Sequence, residues 1–156
     1  MTSVPSGLGA LIHIGRPTPQ LLQRLLELAA SSELSYAEVG ATLRNEVPDG
    51  YRSSGTEQLL GTGDTLWTAA CAALDDWAMF KMPWVMMPPN ERPFVGQNVA
   101  FASQQLGFWS LHSCRVVGVV NEPERHGFAY GTLATHAMRG EELFTVERRQ
   151  DTVYFC

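Results

Sequence analysis

Lysine is nearly absent from this chain: ten arginines and the single Lys81 face 16 acidic residues, for a formal net charge of −5. An acidic balance with no basic block lacks the electrostatic footprint of a general nucleic-acid binder. No segment reaches 18 uninterrupted apolar residues, so no membrane span is expected. Cysteine is scarce as well. Cys71, Cys114 and Cys156 are far apart, odd in number and without paired spacing, which argues against a zinc site, a redox dithiol or a disulfide scaffold and favours free thiols in a reducing compartment. The N-terminus lacks a basic stretch followed by a hydrophobic one, so the cytoplasm is the default location. Nucleophile-elbow, phosphate-loop and H-E-x-x-H motifs are missing too, and Gly61-Thr62-Gly63 is only a fragment of a phosphate-binding pattern. No metal and no cofactor are expected.

What is present suits one ordinary domain. A chain of 156 residues with 45% hydrophobic content can bury roughly 70% of the surface its unfolded form exposes, enough for a core without staples. Residues 1–17, rich in Gly, Pro and Ser, read as a flexible arm, and residues 18–156 as a single α+β domain. Thr18 and Pro19 open a helix predicted to reach Ala30, with Leu21, Leu22, Leu25, Leu26, Leu28 and Ala29 at helical spacing. Pro48-Asp49-Gly50 is a turn. Tyr51–Leu60 reads as a strand, and Asp64 is placed to cap a second helix, about Thr65–Phe80, with a wide apolar stripe that includes Trp67 and Trp77. Four prolines between Pro83 and Pro93 make a rim loop.

Beyond that loop the period changes to two. Val95–Ser103, Trp109–Asn121, His126–Thr132, Glu141–Arg148 and Thr152–Cys156 are strand candidates, and the last four are joined by short connections. Helices first and a meander second predict a curved antiparallel sheet with helices packed on one face.

Ionisable groups collect between Arg115 and Glu142. Arg115 lies in a strand whose two faces both look buried, and Glu141 and Glu142 are the nearest acceptors offered. Two readings stay open: an internal Arg–Glu pair that sets sheet register, or the charged floor of a ligand pocket. Gly127, Ala129 and Gly131 share one strand face, which leaves room for a ligand or for a helix, the second helix being the obvious occupant. Tyr130 and His126 take the other face. His136, close to Glu141 and Glu142, has the composition of a general acid–base site, although loop histidines are most often inert. Ten residues between His126 and His136 match no metal-ligand spacing. His112 and His13 carry no signal. Trp84 and Trp109, beside Met82, Met86 and Met87, suit the mouth of an apolar cavity.

LSYAEVGAT (34–42), GYRSSGTEQLLGTG (50–63) and CRVVGVVNEPERHGFAYGTLATHAMRGEELFTV (114–146) closely resemble uncharacterised protein family 0548, a domain-of-unknown-function family of bacteria and plants. That resemblance brings no established activity. It implies a Bet v 1-like, START-type helix-grip fold, in which an antiparallel sheet curls around a long C-terminal helix and encloses an apolar cavity. Relatives usually continue past the position of Phe155 with a further strand and a helix, so the resemblance implies that this sequence is short of both. An unfilled sheet edge or face would favour a homodimer.

The leading expectation is a non-catalytic module that holds a small apolar or amphipathic molecule, with Arg115, Tyr130, His136, Glu142, Trp84 and Trp109 as ligand-binding residues. The rival is a cyclase- or hydrolase-like enzyme with His136 or His126 as base and Tyr130 or Arg115 stabilising negative charge. A purely structural or interaction domain is the third reading.

Overall fold

Thr18 stops the chain from fraying where the first helix begins: its hydroxyl accepts a hydrogen bond from Leu21 N, and Pro19 occupies the first turn. The computed structural model describes residues 12–156. Strand β1 (Ile12–Ile14) is followed by helix α1 (Pro19–Ala30), β2 (Gln58–Thr62), α2 (Asp64–Asp75), a 3-10 turn (Ala78–Phe80) and β3 (Val85–Met86). Then come β4 (Asn98–Gln105), β5 (Phe108–Glu122), β6 (Arg125–Thr132), β7 (Glu141–Arg149) and β8 (Thr152–Phe155). The architecture is α+β, with a curled antiparallel sheet in the order β2-β8-β7-β6-β5-β4-β3. β1 pairs with the start of β5, ahead of the stretch of β5 that pairs with β6. Three residues of the expected arm, Ile12–Ile14, therefore belong to the sheet, and its first eleven lie outside the described residues.

The helices do not share a face, contrary to the expectation. α2 and the 3-10 turn cover the inner face, where Trp77, Val99, Cys114, Val116, Phe128 and Val146 form the main core. α1 covers the outer face, with Leu22 and Leu25 packed on Ala100, Ala102, Trp109 and Leu111. Alternation along β4 assigns the sides: Val99 and Phe101 point to α2, Ala100 and Ala102 to α1. Both sides of the central strands are buried, which is why β4 reads as an almost continuous apolar run.

Two element expectations are corrected. The second helix ends at Asp75, not Phe80, because Trp77 adopts a left-handed φ of 55°, and its buried indole donates to Glu91 O at 2.8 Å. Its N-cap is Gly63, with Asp64 inside the first turn and bound to Arg148. The strand expected over Tyr51–Leu60 forms only from Gln58, where β8 supplies ladder partners; residues 51–57 pair with no strand among the described residues.

Residues 33–46, which carry no regular helix or strand, lie on the outer face beside α1. Ser35 N donates to Thr132 O and Ala134 N to Glu33 O. α2 does not explain the glycines of β6: a Cβ at Gly131 would sit 1.9 Å from the Tyr36 hydroxyl of this segment, and one at Gly127 2.0 Å from the Phe144 carbonyl oxygen of β7; on β5, a Cβ at Gly118 would sit 2.2 Å from Leu43 Cδ1. Gly131→Ala should therefore displace Tyr36 and cost about 2–3 kcal/mol of stability by overpacking and a lost hydrogen bond. Urea denaturation measures this; a loss within experimental error would show that Tyr36 moves freely.

Candidate functional site

The outer face carries a polar row that runs across four strands. Asn98 pairs with Arg115, Arg115 with Gly131 and Gly131 with Glu141, so the four residues lie side by side on β4 to β7. Arg115 and Glu141 are two strand spacings apart, about 9.5 Å, with Tyr36 lying over the glycine between them. The Arg–Glu pair expected from sequence does not form. Arg115 instead donates to Asn98 Oδ1 (2.7 Å) and to the carbonyls of Ala29 (2.8 Å) and Ser32 (2.9 Å), closing the C-terminal end of α1, where a cation is favoured. Glu141 accepts from the Tyr36 hydroxyl (2.8 Å), Gly40 N (2.5 Å), Thr42 N (3.1 Å) and the Thr42 hydroxyl (2.8 Å). Burial, helped by this carboxylate, pushes the Tyr36 phenol well above its ordinary pKa. These two ionisable groups hold the fold and are occupied by their partners.

On the inner face, Glu142 pairs in register with Tyr130, whose hydroxyl donates to Glu142 Oε2 at 2.5 Å. Burial, then the Glu142 charge, raises the Tyr130 phenol far above its usual range, so it stays protonated. Phe101 lies beside Tyr130, with ring centres 6.3 Å apart, and stacks on His112 at 4.7 Å.

His112, silent in the sequence, is the hub of the next polar group. Its Nδ1 lies 3.0 Å from His136 Nε2, and its Nε2 lies 2.9 Å from Ser103 Oγ and 3.0 Å from Ser110 Oγ. Burial pushes the His112 pKa down to about 4, with the second imidazole adding to the effect; burial also lowers that of His136. Both rings are thus neutral at pH 7, one carrying the proton they share. No spacing motif joins positions 112 and 136. Only the register of β5 and the loop after β6 brings the rings together.

The remaining expected site residues scatter. His126 is at the far end of β6, with Nε2 2.9 Å from Asp75 Oδ1. The three catalytic candidates, His136, His126 and Tyr130, therefore do not converge on one reacting position. Trp109 is buried under α1, whereas Trp84 is exposed near the sheet edge, where its carbonyl accepts from Gln104 N. Neither lines the two recesses described below, nor does Arg115, Tyr130, His136 or Glu142.

A groove of about 870 Å³ opens elsewhere, between the start of α1, the 3-10 turn and residues 85–90. Leu22, Trp77, Phe80, Val85, Met86 and Met87 form its apolar walls, and Arg16 and Lys81 stand among its polar residues. Sequence reasoning anticipated the methionines near a cavity but assigned the wrong tryptophans. The groove exists because α1 and the 3-10 turn, on opposite sheet faces, both reach the edge strand β3.

A family described as a domain of unknown function, DUF1990, matches residues 35–156. The chain belongs to this family. Its matched region starts at Ser35, so the Glu141 cradle and the whole inner face lie within the domain, and α1 precedes it. A UPF0548 protein of Deinococcus radiodurans is 35% identical over 144 residues, which is 85% of this chain and 72% of that protein. UPF0548 proteins of Dictyostelium discoideum and Arabidopsis thaliana are 36% and 27% identical over 59% and 64% of this chain. The chain spans about half the length of those two, 45% and 51%. No solved structure matches it. Among the described residues, no helix is long and apolar enough to cross a membrane.

The neutral histidine pair generates a pH prediction. A histidine pKa lowered by folding means that the unfolded chain binds more protons, so the stability is present above about pH 6.5 and is lost as pH falls towards 4. His112 should account for up to about 3 kcal/mol of that loss. Chemical denaturation at pH 7 and pH 4.5 should show a smaller pH difference for His112→Asn than for the parent protein; equal differences would assign the acid sensitivity elsewhere.

Proposed function

We propose that this protein is a binding module for a small apolar or amphipathic molecule, and that the ligand lies in the groove beside β3. The groove itself carries the reading: about 870 Å³ falls within the range of small-molecule pockets, and its walls are aromatic and thioether side chains with a few polar groups at fixed places. Arg16 suits an acidic ligand end, since its guanidinium contacts the Met86 thioether and no carboxylate among the described residues. Lys81 is already paired with Asp76.

The sheet order supports a helix-grip-like fold for the module. β2, the strand that precedes α2, lies beside the last strand β8, and the helical stretch between β2 and β3 covers the inner face. The ligand site then differs from the one expected from sequence, because Arg115, Tyr130 and Glu142 are committed to internal partners.

Laurate is a suitable probe, with binding read from the fluorescence of Trp77 in the groove wall. Met86→Glu, which puts a carboxylate in the half-buried wall, should weaken laurate by about tenfold or more. Arg16→Gln should weaken it less. Native mass spectrometry of protein purified from its source should show added mass. An empty protein that also ignores laurate would overturn the proposal.

A further inference from the structure

A second recess, of about 210 Å³, lies at the opposite end of β6 from the histidine pair, lined by Asp75, Arg92, Pro93, Val119, Asn121 and His126 among others. The His126 side chain is only 10% exposed. Its Nε2 faces Asp75 Oδ1 at 2.9 Å, so in the neutral ring Nε2 carries the proton and donates, leaving the lone pair on Nδ1. Among the described residues, Nδ1 has no hydrogen-bond partner. Arg92 approaches the same Asp75 oxygen through Nε, at 3.2 Å, and its two terminal nitrogens have no partner among the described residues.

One carboxylate thus orients two groups of opposite character. Asp75 turns the imidazole so that an acceptor is left over, and holds the guanidinium so that a pair of donors is left over. A matching ligand must present a hydrogen-bond donor and an anionic acceptor within one small recess, beside the apolar surface of Val119 and Pro93.

We propose that this recess binds small hydroxycarboxylates, with the carboxylate on the Arg92 terminal nitrogens and the hydroxyl donating to His126 Nδ1. The volume equals that of about seven water molecules, which limits the ligand to a few carbons. A fork-shaped guanidinium favours bidentate carboxylate recognition. This site is independent of the groove beside β3.

Glycolate is the probe and acetate, which lacks the hydroxyl, its control, each titrated into the full chain while the His126 ring resonances are followed by NMR. Glycolate should give a saturable shift of those resonances, and acetate should bind roughly tenfold more weakly, the effect of one missing hydrogen bond. Arg92→Gln should remove glycolate binding and leave the fold intact, since that side chain is 64% exposed. The absence of a saturable glycolate shift would overturn the proposal. So would equal affinity for acetate and glycolate, or unchanged glycolate binding in Arg92→Gln.

Discussion

The Glu141 carboxylate is the contact on which the outer half of the molecule depends. Residues 33–46 form neither helix nor strand, and although turns within the segment satisfy part of its backbone, other groups take partners from the sheet. One carboxylate on β7 supplies four of these bonds, from Tyr36, Gly40 and Thr42. Such charge-assisted bonds are among the stronger ones a fold can make. The arrangement requires Gly131, because Tyr36 occupies the space that any larger residue would fill. It also requires that Arg115 turn away, towards the C-terminal carbonyls of α1. Helix, irregular segment and sheet are thereby joined through the single row Asn98, Arg115, Gly131 and Glu141.

The two sheet faces then divide the labour. Outside, Arg115 and Glu141 are bound to internal partners. Inside, the polar groups occur in separate sets: Tyr130 with Glu142, His112 with His136, and His126 with Asp75. Aromatic packing keeps them apart, with Phe101 between the first two and Phe128 between Tyr130 and His126 along β6. A single catalytic centre drawn from all three histidine and tyrosine candidates is therefore not what this sheet builds. Among the described residues, the surface opens instead into separate recesses, one broad and largely apolar and one small and charged.

Much of this was legible in the residue order. The period-two strands from β4 to β8, the Thr18-Pro19 helix start and the α+β class follow from alternation and capping, which act over a few residues. Membership of a family of unknown function was legible as well, in the 34–42, 50–63 and 114–146 segments, and the DUF1990 match over 35–156 bears it out. The ends of the elements were harder. α2 stops at Asp75 because the Trp77 indole reaches Glu91 O across the chain, a long-range cause that helical periodicity does not contain.

Local patterning determined which residues alternate and where helices begin, because those choices are settled between near neighbours in the chain. Only the tertiary structure decided which partner each buried charge takes. Strand pairing places Arg115 two strands from Glu141 and lays Tyr36 between them, and it sets His112 against His136 across 24 residues. The electrostatics of a site depend on distances in space, and these are fixed by register and by the face each helix covers. An acidic balance with no basic block is a property of composition; which charged side chains take partners inside the fold, as Arg115 and Glu141 do, and which stay open to solvent, as Arg92 does, was decided by packing.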